Sequence, residues 1–339
     1  MNAVRSLLTH RAARVVARWT LGIGLVAALV IGLDTAEIGK RIASANLALV
    51  VVGVAGLVAV HTLGAAAWRT LCRRLGGLTL PWSASLRIYY AAQALGGITP
   101  ANLGGDAYRV VAVRSAGHEW GAAVAPVVVQ RATSYLALAL LALPALLWLA
   151  ATSHVPAAVL VGGLLLCGMA GGVAIVLLVA PSWLAKVGRR LGMGGTDATG
   201  DEPAGFASAT RPPLAGVAVA TALGAAFHGV SVLLTVLLLV AVDPAAMNVA
   251  VLAAVVVARL SLAIPFLPSG LGANEAILSL LVAGLGMTPQ TALAGLLLGR
   301  VSLVCTTLLG AGLLALGRRA VATGAQSVTV LDGATARQT

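Results

Sequence analysis

The stretches TPANLGGD at 99–106 and LPSGLGANE at 267–275 break two otherwise apolar parts of the sequence. Each ends on an acidic residue, Asp106 in the first and Glu275 in the second. An arginine follows each acid after 25 residues, Arg131 in the first copy and Arg300 in the second. Because a charge inside a membrane is costly, this repeated spacing predicts a site built by two copies of one unit.

The composition is typical of an integral membrane protein. Of the 339 residues, 60% are hydrophobic and only 9% are charged, and the mean hydropathy is +1.00. Soluble domains lie far from these values. Since a helix needs about 20 apolar residues to cross a bilayer, we expect six full spans, at 16–33, 45–68, 121–150, 155–180, 212–242 and 289–317.

The formal net charge of +12 invites a nucleic-acid interpretation. The basic residues, however, lie at the ends of spans, so we expect no nucleic-acid partner. Cytoplasmic loops of membrane proteins are rich in Lys and Arg. This rule predicts a multi-pass protein of the plasma membrane with both termini in the cytoplasm and an uncleaved first span. The three cysteines, Cys72, Cys167 and Cys305, are expected to be buried apolar residues without a disulfide.

Two segments, 83–116 and 247–287, do not read as simple spans because prolines and glycines interrupt them. Irregular backbone at membrane depth persists only where protein or water satisfies its amides. We therefore interpret each segment as a re-entrant helix pair. The residues assigned to the structural breaks are Pro100, Gly104, Pro268, Gly270 and Gly272.

The predicted fold class is all-α: a polytopic membrane protein of about six spans plus two re-entrant pairs, arranged as an inverted repeat. One transmembrane domain covers 1–320, with repeat one at about 45–150 and repeat two at about 212–317. A polar cytoplasmic loop lies at 181–213, and a disordered cytoplasmic tail is expected at 321–339. Transporters built this way place their substrate near the membrane midplane.

Arg131 and Arg300 lie about ten residues inside their spans, roughly 15 Å deep at 1.5 Å per residue. Each needs a partner there. One interpretation is structural: the ion pairs Asp106–Arg131 and Glu275–Arg300 hold each break against a neighbouring helix. The other is functional, because Arg259 adds a further buried cation and an excess of guanidinium groups suits a phosphate. Both interpretations can hold together.

The candidate substrate-binding residues share polarity inside apolar sequence; they are Arg131, Arg300, Arg259, Asp106, Glu275, Asn102, Asn274, Arg109 and His228. Structural alternatives stay open for several of them. Arg109 lies three residues after Asp106, as in a local helix pair. Asn102 and Asn274 suit turns, and His228, like His61, suits a hydrogen-bonded packing role. No catalytic residues, metal site or cofactor are expected, since motifs such as GxxxxGK[ST], HExxH and GxSxG are absent from the sequence.

The elements PxxLG with a following acid, LPSGLGANEA at 267–276 and LLLGR at 296–300 resemble the lysylphosphatidylglycerol synthase transmembrane region family, over about 15–317. This resemblance implies a flippase-like membrane protein that moves an aminoacylated phospholipid between leaflets, while a separate soluble domain makes that lipid. Only 21 residues follow Arg318, so we do not expect the synthase activity here. Relatives that accompany glycosyltransferases extend the cargo to lipid-linked glycan precursors.

The leading hypothesis is a non-enzymatic lipid translocator whose partners are membrane lipids with anionic headgroups. One alternative is a membrane subunit that anchors a separate cytoplasmic or membrane transferase through the 181–213 loop. A less favoured one is a membrane-embedded transferase that uses Asp106 or Glu275 as a base or metal ligand.

Overall fold

The computed structural model describes residues 20–335, apart from 22, 98, 100–101, 153–154, 180–211 and 265–269, and side chains up to 316. Within these residues all regular structure is helical. The first four helices are α1 (Ile23–Gly32), α2 (Thr35–Ala43), α3 (Leu47–Ala59) and α4 (His61–Gly76). They are followed by α5 (Trp82–Gly97), α6 (Leu103–Arg114), α7 (Trp120–Thr152) and α8 (Ala157–Val179). The chain then forms α9 (Leu214–Val242), α10 (Val249–Ala258), a 3-10 turn (Arg259–Ala263), α11 (Ala273–Gly284) and α12 (Pro289–Thr335).

Five of the predicted spans are long apolar helices in the described residues: α3–α4 together, α7, α8, α9 and α12 up to Leu316. The first predicted span, 16–33, begins outside the described residues, and its described helix, α1, is too short to cross a bilayer alone. A long apolar helix can cross a bilayer because its backbone polar groups are hydrogen-bonded within the helix. The long apolar helices therefore agree with a polytopic membrane protein.

Two boundaries differ from the prediction. The second span was expected to end at 68, but α4 continues to Gly76 and ends at Gly77, whose φ of 64° terminates the helix. The arginines at 69, 73 and 74 misled the prediction, because a helix can leave the apolar layer without ending. The helix α12 likewise continues to Thr335, so the backbone of 321–335 is helical where the sequence predicts a disordered tail.

The segment 83–116 is broken where the sequence predicts. Its helices α5 and α6 contain 16 and 12 residues, and at 1.5 Å per residue both are shorter than the roughly 30 Å apolar core of a bilayer. At the break, the Thr99 hydroxyl accepts a hydrogen bond from the Gly104 amide at 2.8 Å. Gly104 is needed because a Cβ there would lie 2.8 Å from the Leu95 carbonyl oxygen. Pro100 lies outside the described residues.

The segment 247–287 is broken in the same manner, between α10 with its 3-10 turn and α11. Gly270 and Gly272 have φ values of 63° and 83°, in the region that favours glycine. Pro268 lies outside the described residues. The break ends at the first turn of α11, where Glu275 accepts a hydrogen bond from the Gly272 amide at 2.8 Å. Gly270 and Gly272 thus both lie at the break, with backbone angles that favour glycine.

The helices pack around α9, which contacts α3, α4, α7, α10 and α12. The short helix α5 packs on α6 and α12, and the short helix α10 packs on α11 and α7. The long helix α8 covers α7 from outside. Large apolar side chains such as Leu140, Leu147 and Leu165 are exposed on the periphery, as expected for surfaces that face lipid tails. The two short helix pairs are thus enclosed by long helices.

Candidate binding cavity

A cavity of about 400 Å³ lies between the two short helix pairs. Its walls come from α3 to α7 on one side and from α9 to α12 on the other, so every element of both predicted repeats contributes. Seven of the nine candidate substrate-binding residues line it: Asn102, Asp106, Arg109, Arg131, Arg259, Asn274 and Arg300. The other two, Glu275 and His228, are buried behind the wall rather than in it. The sequence pattern therefore located the cavity but not the depth of each side chain.

Asp106 binds two arginines at once. Its Oδ1 accepts a hydrogen bond from Arg109 and its Oδ2 accepts one from Arg131. Both interpretations of Asp106 are thus correct, because the local pair with Arg109 and the predicted long-range pair with Arg131 coexist. The shared carboxylate joins α6, at the first break, to the middle of α7.

Arg109 is held more tightly than the sequence indicates. Its guanidinium also donates to Gln130 Oε1 and lies 5.8 Å from the ring centroid of Trp68 and 5.3 Å from that of Tyr89. Gln130 in turn donates to the Gly64 carbonyl oxygen at 2.7 Å. Such contacts satisfy both the charge and the flat faces of the guanidinium. Arg109 therefore serves mainly to orient Asp106 towards Arg131.

Glu275 pairs with Arg300, as predicted. Arg300 Nε donates to Glu275 Oε1 at 2.7 Å, and Nη2 lies 2.6 Å from the same oxygen. The Glu275 side chain is only 1% exposed, whereas that of Arg300 is 23% exposed and reaches the cavity. The carboxylate thus links the second break to α12 from behind, and its arginine is what the cavity presents.

Arg259 differs from the other cavity arginines. In the described residues no carboxylate lies within ion-pair distance of it, and its Nε is buried without a hydrogen-bond partner. Within the described part of the chain its side chain makes a single, long hydrogen bond, from Nη2 to Thr235 Oγ1 at 3.4 Å. Arg300 lines the same cavity, and like charges repel each other in a low-dielectric interior. An uncompensated guanidinium at this depth is unfavourable by several kcal/mol unless an anion arrives.

Several polar cavity residues were not among the candidates, including His61, Gln93 and Gln130. The His61 Nδ1 lies 3.2 Å from the Gln93 amide nitrogen, and His61 packs against Phe227. Glutamines within apolar sequence are nearly as unusual as charges there, and this signal would have found both. His228, by contrast, lies behind the wall, with Nε2 2.9 Å from the Ser134 hydroxyl, which corrects its placement among the cavity residues.

The two asparagines lie at equivalent places, near the start of α6 and of α11, and both line the cavity. Asn102 adopts a φ of 59° just before α6 and makes no capping hydrogen bond with its side chain. In that turn the Thr99 hydroxyl instead accepts a hydrogen bond from the Gly104 amide. Asn102 thus lies in the turn, without a capping hydrogen bond from its side chain, and lines the cavity.

Comparisons with known proteins agree with this architecture. The family model described as Lysylphosphatidylglycerol synthase TM region matches residues 15–310. The match covers most of the chain, so this protein belongs to that family and is a multi-pass membrane protein. The search of curated proteins found no match.

Proposed function

We propose that this member of the lysylphosphatidylglycerol synthase transmembrane-region family is a lipid translocator. It binds the phosphate of an anionic phospholipid or of a lipid-linked glycan precursor in the central cavity. The acyl chains stay in the membrane while the headgroup moves between leaflets, and the protein catalyses no reaction. The observation that carries this proposal is Arg259, a cation inside the cavity with no carboxylate partner among the described residues.

The chemistry of the cavity favours a phosphate over a neutral ligand. Arg131, Arg259 and Arg300 all line it, and a guanidinium offers paired N–H donors that match two phosphate oxygens. In a low-dielectric interior a bound anion offsets the cost of the buried cations. Hydroxyl groups of Ser231, Thr235 and Ser302 complete a polar wall. A lipid headgroup that enters the cavity would therefore replace its hydrogen bonds to water with hydrogen bonds to these side chains.

The arrangement of helices supports movement by two oppositely oriented halves. The helices of the two halves correspond in chain order: α3–α4 to α9, α5 to α10, α6 to α11 and α7 to α12. When each helix is replaced by its counterpart, every interface among these helices corresponds to another interface that is also observed. For example, the packing of α5 on α12 corresponds to that of α10 on α7. We infer that the two short helix pairs are re-entrant and belong to an inverted repeat. Rocking of one half against the other would expose the cavity to each leaflet in turn.

The distribution of charge supports a particular orientation in the plasma membrane. Arg73 and Arg74 occupy the last turn of α4, whereas the turn after α9 carries Asp243. By the positive-inside rule, the first of these regions faces the cytoplasm and the second faces outside. Both termini then lie in the cytoplasm, and the two repeats begin on opposite sides.

The proposal is tested by lipid movement in vesicles that contain the purified protein and fluorescent phosphatidylglycerol. We expect Arg259→Gln to slow the transfer between leaflets at least about tenfold, because about 1.4 kcal/mol of lost phosphate binding corresponds to that factor. Arg259→Lys keeps the charge but loses the paired donors, so its transfer rate should lie between those of the wild type and Arg259→Gln. Arg87→Gln, which removes an exposed arginine of α5, is the matched control and should leave the rate unchanged.

Transfer at the wild-type rate by folded Arg259→Gln protein would contradict the proposal. Folding is checked by comparing the size-exclusion profile and the thermal unfolding midpoint of each variant in the same detergent. The variants Arg300→Ala and Glu275→Gln extend the test to the second half of the cavity. Unchanged rates in both would remove that ion pair from the mechanism.

A further inference from the structure

Each oxygen of the Asp106 and Glu275 carboxylates accepts a hydrogen bond from the protein. Asp106 accepts from Arg109 at Oδ1 and from Arg131 at Oδ2. Glu275 accepts from Arg300 at Oε1 and from the Gly272 amide at Oε2. A cationic group on a ligand would have to share these oxygens with the protein donors. The cavity therefore offers an ammonium group no carboxylate that is not already paired with an arginine.

The charges around the cavity do not balance. Among the described residues, four arginines line it, namely Arg109, Arg131, Arg259 and Arg300. Two carboxylates oppose them, Asp106 in the wall and Glu275 directly behind Arg300. Asp106 divides its single charge between two arginines. Two positive charges consequently remain in excess, and Arg259 accounts for one of them outright.

We infer that the headgroup recognised here carries two negative charges on phosphate, as a terminal phosphomonoester or a diphosphate does, and that aminoacylated lipids are excluded. The inference rests on the proposed function and specifies its substrate. A phosphomonoester carries a charge of about −1.5 to −2 at neutral pH, whereas a phosphodiester carries a single charge. Only the former neutralises both excess cations. An aminoacyl headgroup adds positive charge to a chamber that already has too much.

The geometry agrees with such a ligand. A terminal phosphate has three oxygens that can accept hydrogen bonds, so it can engage more than one guanidinium at a time. Arg259 lines the cavity without a carboxylate partner among the described residues, so its charge can be neutralised by such a phosphate. The cavity is enclosed by the apolar spans, so we assign the phosphate to a lipid rather than to a soluble ion.

The test compares three lipids with identical acyl chains: phosphatidic acid, phosphatidylglycerol and lysylphosphatidylglycerol. The full-length protein in detergent micelles is titrated with each, and the lipid-bound fraction is measured by native mass spectrometry. We expect phosphatidic acid to bind at least about tenfold more tightly than phosphatidylglycerol, and lysylphosphatidylglycerol to bind most weakly. Arg259→Gln should reduce the preference for phosphatidic acid to about twofold or less. Arg87→Gln should leave the preference unchanged.

The outcomes separate this inference from the proposed function. Equal affinities for phosphatidic acid and phosphatidylglycerol, both weakened by Arg259→Gln, would overturn the inference and leave the proposed function standing. Tightest binding of lysylphosphatidylglycerol would also overturn it. If neither Arg259→Gln nor Arg259→Lys changes the affinity for any of the three lipids, the proposed function is contradicted as well. Inorganic phosphate is the soluble competitor: displacement of phosphatidic acid at equal concentration would reassign the site to free phosphate and overturn the lipid assignment.

Discussion

Glu275 illustrates how one side chain can hold a break in place without touching the cavity. Its two oxygens connect the Gly272 amide to the Arg300 guanidinium, and the side chain is almost fully buried. A buried acid that caps a helix and pairs with an arginine on another helix fixes both elements. Its role is therefore positional, and Arg300 is the group that a ligand can reach.

Replacing Glu275 by Gln should destabilise the protein by roughly 3 kcal/mol, since an uncompensated guanidinium would remain in the interior. Glutamine keeps one oxygen for the Gly272 amide, so the loss reports mainly on the ion pair. The measurement is thermal unfolding in detergent. The same substitution at Glu37, which forms a partly exposed pair with Arg41, should change stability by less than about 1 kcal/mol, because Asp243 still opposes the Arg41 charge. Equal unfolding midpoints for the two variants would contradict the structural role of Glu275.

At the scale of helices, the close contact between α5 and α12 depends on a glycine. A Cβ at Gly310 would lie 2.2 Å from the Tyr90 carbonyl oxygen and 3.0 Å from Ala94 Cβ. Small residues allow helices in membranes to approach in this way. Since α5 belongs to the first half and α12 to the second, this contact joins the two halves beside the cavity.

Gly310→Ala should separate α5 from α12 and destabilise the protein by about 1–3 kcal/mol, the usual cost of overpacking. Gly312→Ala is the matched control, because a Cβ two residues further along would meet no atom within 4 Å. Alanine there should be neutral or stabilising by up to about 1 kcal/mol, from helix propensity. The unfolding midpoints of the two variants, measured side by side, should move in opposite directions. A midpoint for Gly310→Ala at or above that of Gly312→Ala would refute the tight contact.

The sequence located the breaks well because proline and glycine act locally. The start of α6 needs glycine at Gly104 because of the nearby Leu95 carbonyl, and the turn before α11 needs it at Gly272 because of its positive φ. Both requirements are reflected in the residue types. The ends of α4 and α12 were not predicted, since basic residues mark the edge of the apolar layer and not the end of a helix. The ion pairs Asp106–Arg131 and Glu275–Arg300 were predicted because a buried arginine needs a partner and an acid precedes each arginine by the same spacing.

What remained beyond the sequence is the rotation of each helix against its neighbours. Helical periodicity indicates which residues share a face, but not what that face meets. His228 and Glu275 are therefore buried behind the cavity wall, while His61, Gln93 and Gln130 line it. No carboxylate of the described residues lies within ion-pair distance of Arg259; only the packed structure displays this feature, and it has the greatest consequence for the proposed function.

For the whole molecule, the inverted repeat makes a prediction about sidedness. Ser115 follows α6 and Thr288 follows α11, so they occupy equivalent positions in the two halves, and both are exposed. With the native cysteines replaced, a membrane-impermeant maleimide added to intact cells should label a Thr288→Cys variant and spare a Ser115→Cys variant. Met247→Cys, in the turn before α10, is the control expected outside. Labelling of Ser115→Cys and Thr288→Cys from the same side would exclude the inversion.

The central claim is that a phosphate-bearing lipid occupies the cavity against Arg259. Native mass spectrometry of the protein extracted from its own membrane tests this most directly, because it identifies lipids that stay bound through purification. We predict that the wild type and Arg87→Gln retain a phosphate-bearing lipid and that Arg259→Gln loses it. Retention of the same lipid by Arg259→Gln at the wild-type level would contradict the account.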